Sequence, residues 1–229
     1  MPTLNKKFTL NDKLTIKLAR TITSGDISNS NSKMLGSTFG LSPDYCKTGA
    51  ALSKVKDSVC YRCYAKRGTG IYPSVKQGRC NNTLAIHKQT KLDNLSNWIV
   101  AMVFLINKRC KVGYHRWMDA GDLQSYAHYI AIIKIAELLP EINFWLSTKE
   151  KAIINRYRKS LPKNLCVRLS GAMVDGLPPN TRDGINTSTV HHRRAVIGFE
   201  CPSQKQGNKC LDCTACYNKN VANISYHKH

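Results

Sequence analysis

Acidic residues are scarce in this 229-residue chain: 14 Asp and Glu stand against 35 Lys and Arg, a formal net charge of +21. Two readings of that excess stay open. One is a solvated basic surface that keeps the protein soluble; the other is a polyanionic partner such as nucleic acid, from which Lys and Arg release counterions. The basic residues run along the whole chain instead of forming one block, so neither reading takes precedence. Long apolar runs are missing too. The longest, around Trp98 to Ile106, has about half of the ~20 residues that a membrane-spanning helix needs, which argues against a membrane span. Met1 to Asn11 is polar and basic, without the apolar stretch and small residues of a secretory signal, so a cytoplasmic protein is expected. Without export, ten cysteines do not suggest a disulfide framework, because cytosolic reductants keep thiols free. They point to metal binding or catalysis.

A hydrophobic content of 42% over this length is enough to bury one core of moderate size, and a single domain is expected. Four stretches make it up: an extension over 1–30, a cysteine-containing irregular segment over 31–90, a β/α core over 91–200, and a cysteine cluster with tail over 201–229. In the first, Phe8, Leu10, Leu14, Ile16 and Leu18 alternate around Asn11 and Asp12, which reads as a β-hairpin. Leu95, Trp98, Ile99, Met102, Val103 and Ile106 recur at helical spacing within Leu92 to Lys108, with Asp93 as a possible cap. Strand and helix then alternate: a strand at Gly113 to Met118, a helix at Ser125 to Leu139, a strand at Ile142 to Ser147, a helix at Glu150 to Leu161 and a strand at Leu165 to Leu169. Connections this short imply right-handed crossovers and a parallel sheet. Two further strand-like runs follow, Ser188 to His191 and Ala195 to Phe199. The expected fold is α/β, either an incomplete parallel barrel or an open parallel sheet, because the βα units are too few for a complete eight-fold barrel.

The strongest local signal lies at the C-terminal end, where Cys201, Cys210, Cys213 and Cys216 form C-x8-C-x2-C-x2-C. Three close thiolates with a fourth farther away suit a cubane iron-sulfur cluster. Structural zinc is the alternative, although zinc more often sits between two separated CxxC knuckles. Cys46, Cys60 and Cys63 form a second group, C-x13-C-x2-C. Three ligands would leave one iron open to water, substrate or cofactor and make this the reactive site; a zinc site completed by another ligand is the competing reading. Cys80, Cys110 and Cys166 lie in helical or strand-like contexts and read as small buried hydrophobes.

Side chains just beyond the carboxyl ends of parallel strands converge on the functional crevice of such sheets. Here those positions offer His115, Asp119 and Asp122, then Thr148 and Lys149, then Arg168 and Ser170, with His191 and His192 later. As a group they suit acid-base chemistry or the binding of a small polar substrate. In a hydrolytic version Ser170 or an iron-bound water attacks while His115 and an aspartate handle the proton. The bland alternative makes the aspartates helix caps, pairs Lys149 with an acid and leaves the paired histidines facing solvent.

The runs NSKM (Asn31 to Met34), VCYRCYA (Val59 to Ala65), WMDAGDLQS (Trp117 to Ser125), FWLSTKE (Phe144 to Glu150), NLCVRLSG (Asn164 to Gly171) and CPSQKQGNKCLDCTAC (Cys201 to Cys216) resemble the phage-associated "gene product eighty-eight" family. The resemblance implies a phage-encoded protein of the host cytoplasm with an iron-sulfur cluster of the 4Fe-4S type; the family name carries no reaction. It also implies Cys46, Cys60, Cys63, Cys201, Cys210, Cys213 and Cys216 as ligands, and Asp119, Asp122, Thr148, Lys149 and Arg168 as site residues. A looser likeness to radical S-adenosylmethionine enzymes rests on a partial barrel and a three-cysteine group. The spacing departs from their C-x3-C-x2-C, which speaks against S-adenosylmethionine as a cofactor.

Overall fold

The computed structural model describes residues 8–10, 12–29 and 33–228. The turn position Asn11, most of the polar start and Asn31 and Ser32 of the NSKM run lie outside them. Among the described residues the fold is a seven-stranded sheet in which every pairing is parallel. The strands are β1 (Ser37–Phe39), β2 (Tyr114–Trp117), β3 (Asn143–Thr148), β4 (Leu165–Val174), β5 (Asn186–His191), β6 (Phe199–Glu200) and β7 (Asn223–His227), in the order β1-β2-β3-β4-β5-β7-β6. The sheet does not close, so of the two architectures expected it is the open sheet.

The helices are α1 (Ile16–Thr23), α2 (Thr48–Leu52), α3 (Pro73–Asp93), α4 (Ser96–Arg109), α5 (Tyr126–Leu138) and α6 (Lys151–Ile154). All but α2 contribute to a core over one face of the sheet, where Phe39, Trp117, Phe144, Leu146, Val167 and Leu169 meet Ile22, Ile86, Trp98, Leu105, Tyr129 and Ile154. Strand pleating turns the alternate residues to the other face. Arg116, Trp145, Ser147, Arg168 and Ser170 stand there. Among the described residues no helix layer covers them; the irregular cysteine-bearing segments do, with the Tyr217 ring against Tyr114 and Trp145. No helix among the described residues is long and apolar enough to cross a membrane.

Four local expectations are corrected. The run expected as a hairpin, Phe8 to Leu18, forms no strand among its described residues; its last three residues open the helix α1, where Thr15 accepts the Leu18 N–H as the N-cap, and Ala19, Ile22 and Thr23 are the side chains the helix buries. Within the stretch expected to be irregular stands α3, the longest helix described, hidden because its inner face is partly polar. Its Asn82 donates to the Gly40 carbonyl and its Thr83 hydroxyl accepts from the Ser42 N–H. The helix expected over Glu150 to Leu161 stops at Ile154, and beyond it Tyr157 and Leu161 still pack on the core. The run Ala195 to Phe199 yields only the edge strand Phe199–Glu200, while β7, unforeseen, enters between β5 and β6. Asp93 does serve α4, accepting the Asn97 N–H at 2.9 Å, although the helix begins at Ser96.

Candidate functional site

Beyond the carboxyl end of β2 the chain turns sharply at Met118, whose positive φ of 52° is uncommon for a side chain of its kind. Gly121, at φ 77°, packs so closely on Leu41 that an added Cβ would lie 2.6 Å from that residue's own Cβ. This turn brings Asp122 under the end of β3. Its carboxylate accepts from the Thr148 hydroxyl at 2.5 Å, from the Lys149 N–H at 2.9 Å and from the Leu123 N–H at 2.7 Å. Burial nevertheless pushes its pKa up to about 6, against those three hydrogen bonds and with Glu150 adding to the rise.

The first cysteine group is stitched over this place. Glu150 accepts from the Thr48 N–H at 2.9 Å and hydroxyl at 3.0 Å, which fixes the start of α2 between Cys46 and Cys60. The Lys47 ammonium donates to the Gln124 carbonyl at 3.1 Å, and the Val59 N–H donates to the Ala172 carbonyl at 2.8 Å beside an antiparallel bridge from Ser58 to Met173. Cys46 and Cys60 thereby both border Gly49, and Cys63 and Asp122 stand near enough to act electrostatically on Cys46. Burial pushes the Cys46 thiol up to about 12, with Asp122, Cys63, Cys60 and Glu150 adding to it. Burial also raises Cys60, against the nearby Lys149. Lys149 donates to the Gly171 carbonyl at 2.8 Å; burial lowers its pKa while the three thiols and Asp122 oppose the fall. Gly49 leaves a gap among these thiols: a Cβ there would lie 3.5 Å from the Cys60 Sγ and 3.7 Å from the Cys46 Sγ. At the rim, Asp119 pairs with Arg79 at 3.5 Å, and the exposed Tyr64 donates to the Asp119 carbonyl.

The second group sits against the helix-free face. Cys201 follows β6 and donates its N–H to the Ser225 carbonyl at 2.9 Å, whereas Cys210 is held by the Lys33 carbonyl at 2.8 Å. Cys216 lies 3.2 Å from the Tyr226 hydroxyl, and burial pushes its thiol up to about 12. Cys201 and Cys213 both stand near enough to raise Cys210, although burial is the larger cause. Arg168, wholly buried, clamps this loop through backbone carbonyls: Cys216 at 3.1 Å, Ala215 at 3.0 Å, Asn218 and Val221 each at 2.8 Å, and Thr187 at 3.3 Å. Arg116 lies over the Trp145 ring at 4.4 Å. Neither guanidinium has a carboxylate ion-pair partner among the described residues.

Of the expected strand-end residues, Asp119, Asp122, Thr148 and Lys149 come together with the first cysteine group. His115 does not. It lies on the helix face, wholly buried, 2.8 Å from the Ser37 hydroxyl and packed on Trp117 and Phe144, and burial lowers its pKa to about 3. Ser170 faces the other way and shares hydrogen bonds with Ser147 at 2.9 Å and Ser188 at 3.1 Å. A Ser170–His115 couple is therefore out of reach, and Arg168 serves the second cysteine loop instead of the crevice. Cys80 stands on α3, Cys110 donates to the Tyr114 carbonyl at 3.1 Å, and Cys166 is buried in β4. None of the ten cysteines is in a disulfide. Thr48 and Gly49 were not singled out from sequence, the only hint being their closeness in the chain to Cys46; Glu150 stood out there only as the end of the Phe144 to Glu150 run and an acid that could pair with Lys149.

No curated protein matches the chain, and no solved structure does, so the likeness to radical S-adenosylmethionine enzymes finds no support there. A family profile described as Gene product 88 matches residues 4–219, a span that takes in both cysteine groups and every strand-end residue named above. On that match the chain belongs to the Gene product 88 family.

Proposed function

We propose that this protein is an iron-sulfur enzyme that binds a small polar substrate at the strand ends, with Cys46, Cys60 and Cys63 as the reactive metal site. One observation carries the reading: those three thiols gather at the carboxyl ends of β2 to β4 beside the buried Asp122 and Lys149, where parallel sheets place their chemistry. The gap at Gly49 and an all-thiol donor set fit a cluster held at three corners. Bound there, a cluster would supply an open iron as Lewis acid or electron source. The chain's own part is to present Lys149 as an anion-binding cation, Asp122 as a proton carrier held by three donors, and Asp119 with Arg79 as a polar rim. Cys201, Cys210, Cys213 and Cys216 form a second, structural centre. The charges of the buried Arg168 and the half-buried Arg116 favour ionised ligands there, because among the described residues no carboxylate pairs with either.

Iron and acid-labile sulfide are to be measured on protein made with ample iron and purified without oxygen. Iron with sulfide is expected in the parent. Cys60→Ser should lose only part of it, and Cys213→Ser should lose the other part together with solubility, since metal binding and folding are coupled in an irregular segment. Stoichiometric zinc without iron or sulfide would sink the assignment. One centre abolished equally by both replacements would sink the two-site version.

A further inference from the structure

β5, β6 and β7 end side by side, and their last residues are His191, Glu200 and His227. His191 is the register partner of His227, and Glu200 that of Ser225, two residues before His227. Pleating therefore puts all three side chains on one face, opposite to Cys201. The His191 Nε2 lies 3.2 Å from the His227 Nε2, which lies 2.7 Å from the Glu200 Oε1. All three atoms are within 4.8 Å of one another.

The group is supported from behind. The Nδ1 of His191 is bonded to the Ser225 hydroxyl at 2.7 Å; that hydroxyl accepts from Thr189 at 3.2 Å, and Thr189 accepts from the Asn223 amide at 3.0 Å. With Nδ1 so engaged, Nε2 is the nitrogen left to face the group. Such an outer partner is what orients metal-ligating histidines. Glu200 takes Lys205 on its other oxygen, at 3.1 Å, and so keeps Oε1 turned inward. A single imidazole proton between two Nε2 atoms and a carboxylate oxygen cannot serve all three lone pairs, whereas one cation can. Zinc at about 2.0–2.1 Å from tetrahedral ligands holds them about 3.3 Å apart, close to the 3.2 Å between the two Nε2 atoms, and the Glu200 oxygen would have to move back from its present 2.7 Å. His191 is 6% exposed, while the side chains of His227 and Glu200 are 25% and 32% exposed, which leaves a further position open to water.

We propose that His191, Glu200 and His227 bind a divalent transition-metal ion, zinc by preference of donor set, separately from both cysteine groups. Two histidines and a glutamate with an open fourth position are a donor set that zinc also uses to activate a bound water. The ion would tie the two-residue edge strand β6 to β5 and β7 and so fix the strand from which Cys201 leaves.

The test uses the full chain, with Co2+ as an optical probe and Glu200→Gln and His227→Gln as variants. The parent is expected to bind one more equivalent of Co2+ than either variant. The parent-minus-variant spectrum should show ligand-field bands without a thiolate-to-cobalt charge-transfer band. Ser225→Ala should weaken the same site about 10–100-fold. Equal Co2+ uptake in parent and variants, or a thiolate band in the difference, overturns the proposal. Anomalous scattering at the zinc edge from parent crystals grown with zinc gives an answer that depends on neither variant's folding: a peak among the three side chains supports the site, and its absence refutes it. Failure here would leave the iron and sulfide result unaffected, because no cysteine takes part.

Discussion

At the scale of single residues, burial decides what each ionisable group can do. His115 and His128 are wholly buried; burial lowers both pKa values to about 3, with nearby His87 adding to the fall at His128. In the unfolded chain each takes a proton near its ordinary value of 6.5, so between the two values the unfolded state binds more protons. Stability should thus be fully present above about pH 6.5 and decline as pH falls toward 3, by about 1.4 kcal/mol per pH unit for each histidine. Denaturant titrations from pH 7 to pH 4 should show that decline, with the slope in His115→Gln smaller by one proton. An unchanged slope would mean that His115 titrates alike in both states. Arg168 is the second case. Its removal strands several buried carbonyls, each costing about 1–3 kcal/mol, so Arg168→Met should destabilise the fold by about 3 kcal/mol or more. Lysine, with fewer donors in a different geometry, should restore only part of that. A loss below 1 kcal/mol in equilibrium unfolding would show that the clamp is dispensable.

Among the elements, the short helix α2 carries the most direct test of the first cysteine group. Gly49 sits in it without a positive φ, so alanine is compatible with the backbone and the question is one of space. A Cβ would come 3.2 Å from the Cys46 Cβ and 3.5 Å from the Cys60 Sγ. Gly49→Ala is expected to alter overall stability by less than about 1 kcal/mol while reducing the metal bound by Cys46, Cys60 and Cys63. Full metal content in that variant would show that the gap is unused. Leu95 makes a different point about elements. Asn94 and Leu95 both take left-handed conformations, which separates α3 from α4 without glycine or proline. Leu95 is wholly buried at that corner, so packing overrides the backbone preference of the residue.

For the molecule as a whole, one face of the sheet is closed by helices and the other by cysteine-bearing loops. With metal bound by those loops as proposed, metal and fold would depend on each other. The charge of +21 remains the general property with an open role. Weak association with generic duplex DNA at low ionic strength is expected, falling by several powers of ten between 50 and 200 mM salt if about 6–10 phosphates are contacted. Fluorescence anisotropy would read it. Asp119→Asn and Lys149→Ala should leave that association nearly unchanged, yet weaken binding of a small polar ligand at the strand ends. Salt-resistant binding lost in those two variants would instead make nucleic acid the substrate.

The order of strands and helices from Tyr114 to Leu169 was legible because period-two and helical patterns alternate there with clear breaks, and the two cysteine groups were legible from spacing alone. The polar inner face of α3 and the tertiary packing that lets α6 end after Ile154 were not, since periodicity records burial of apolar residues and nothing else. Residue identity alone could not separate His115, which the pleat turns into the core, from Asp122 and Lys149, which lie beyond their strands and turn to the thiols. Nor could it bring His191, Glu200 and His227 together, because their meeting depends on β7 entering between β5 and β6. Sequence by itself determined the parallel α/β class and the two groupings of cysteines through local patterns; which face each side chain took and which distant residues met was decided only by strand order and register.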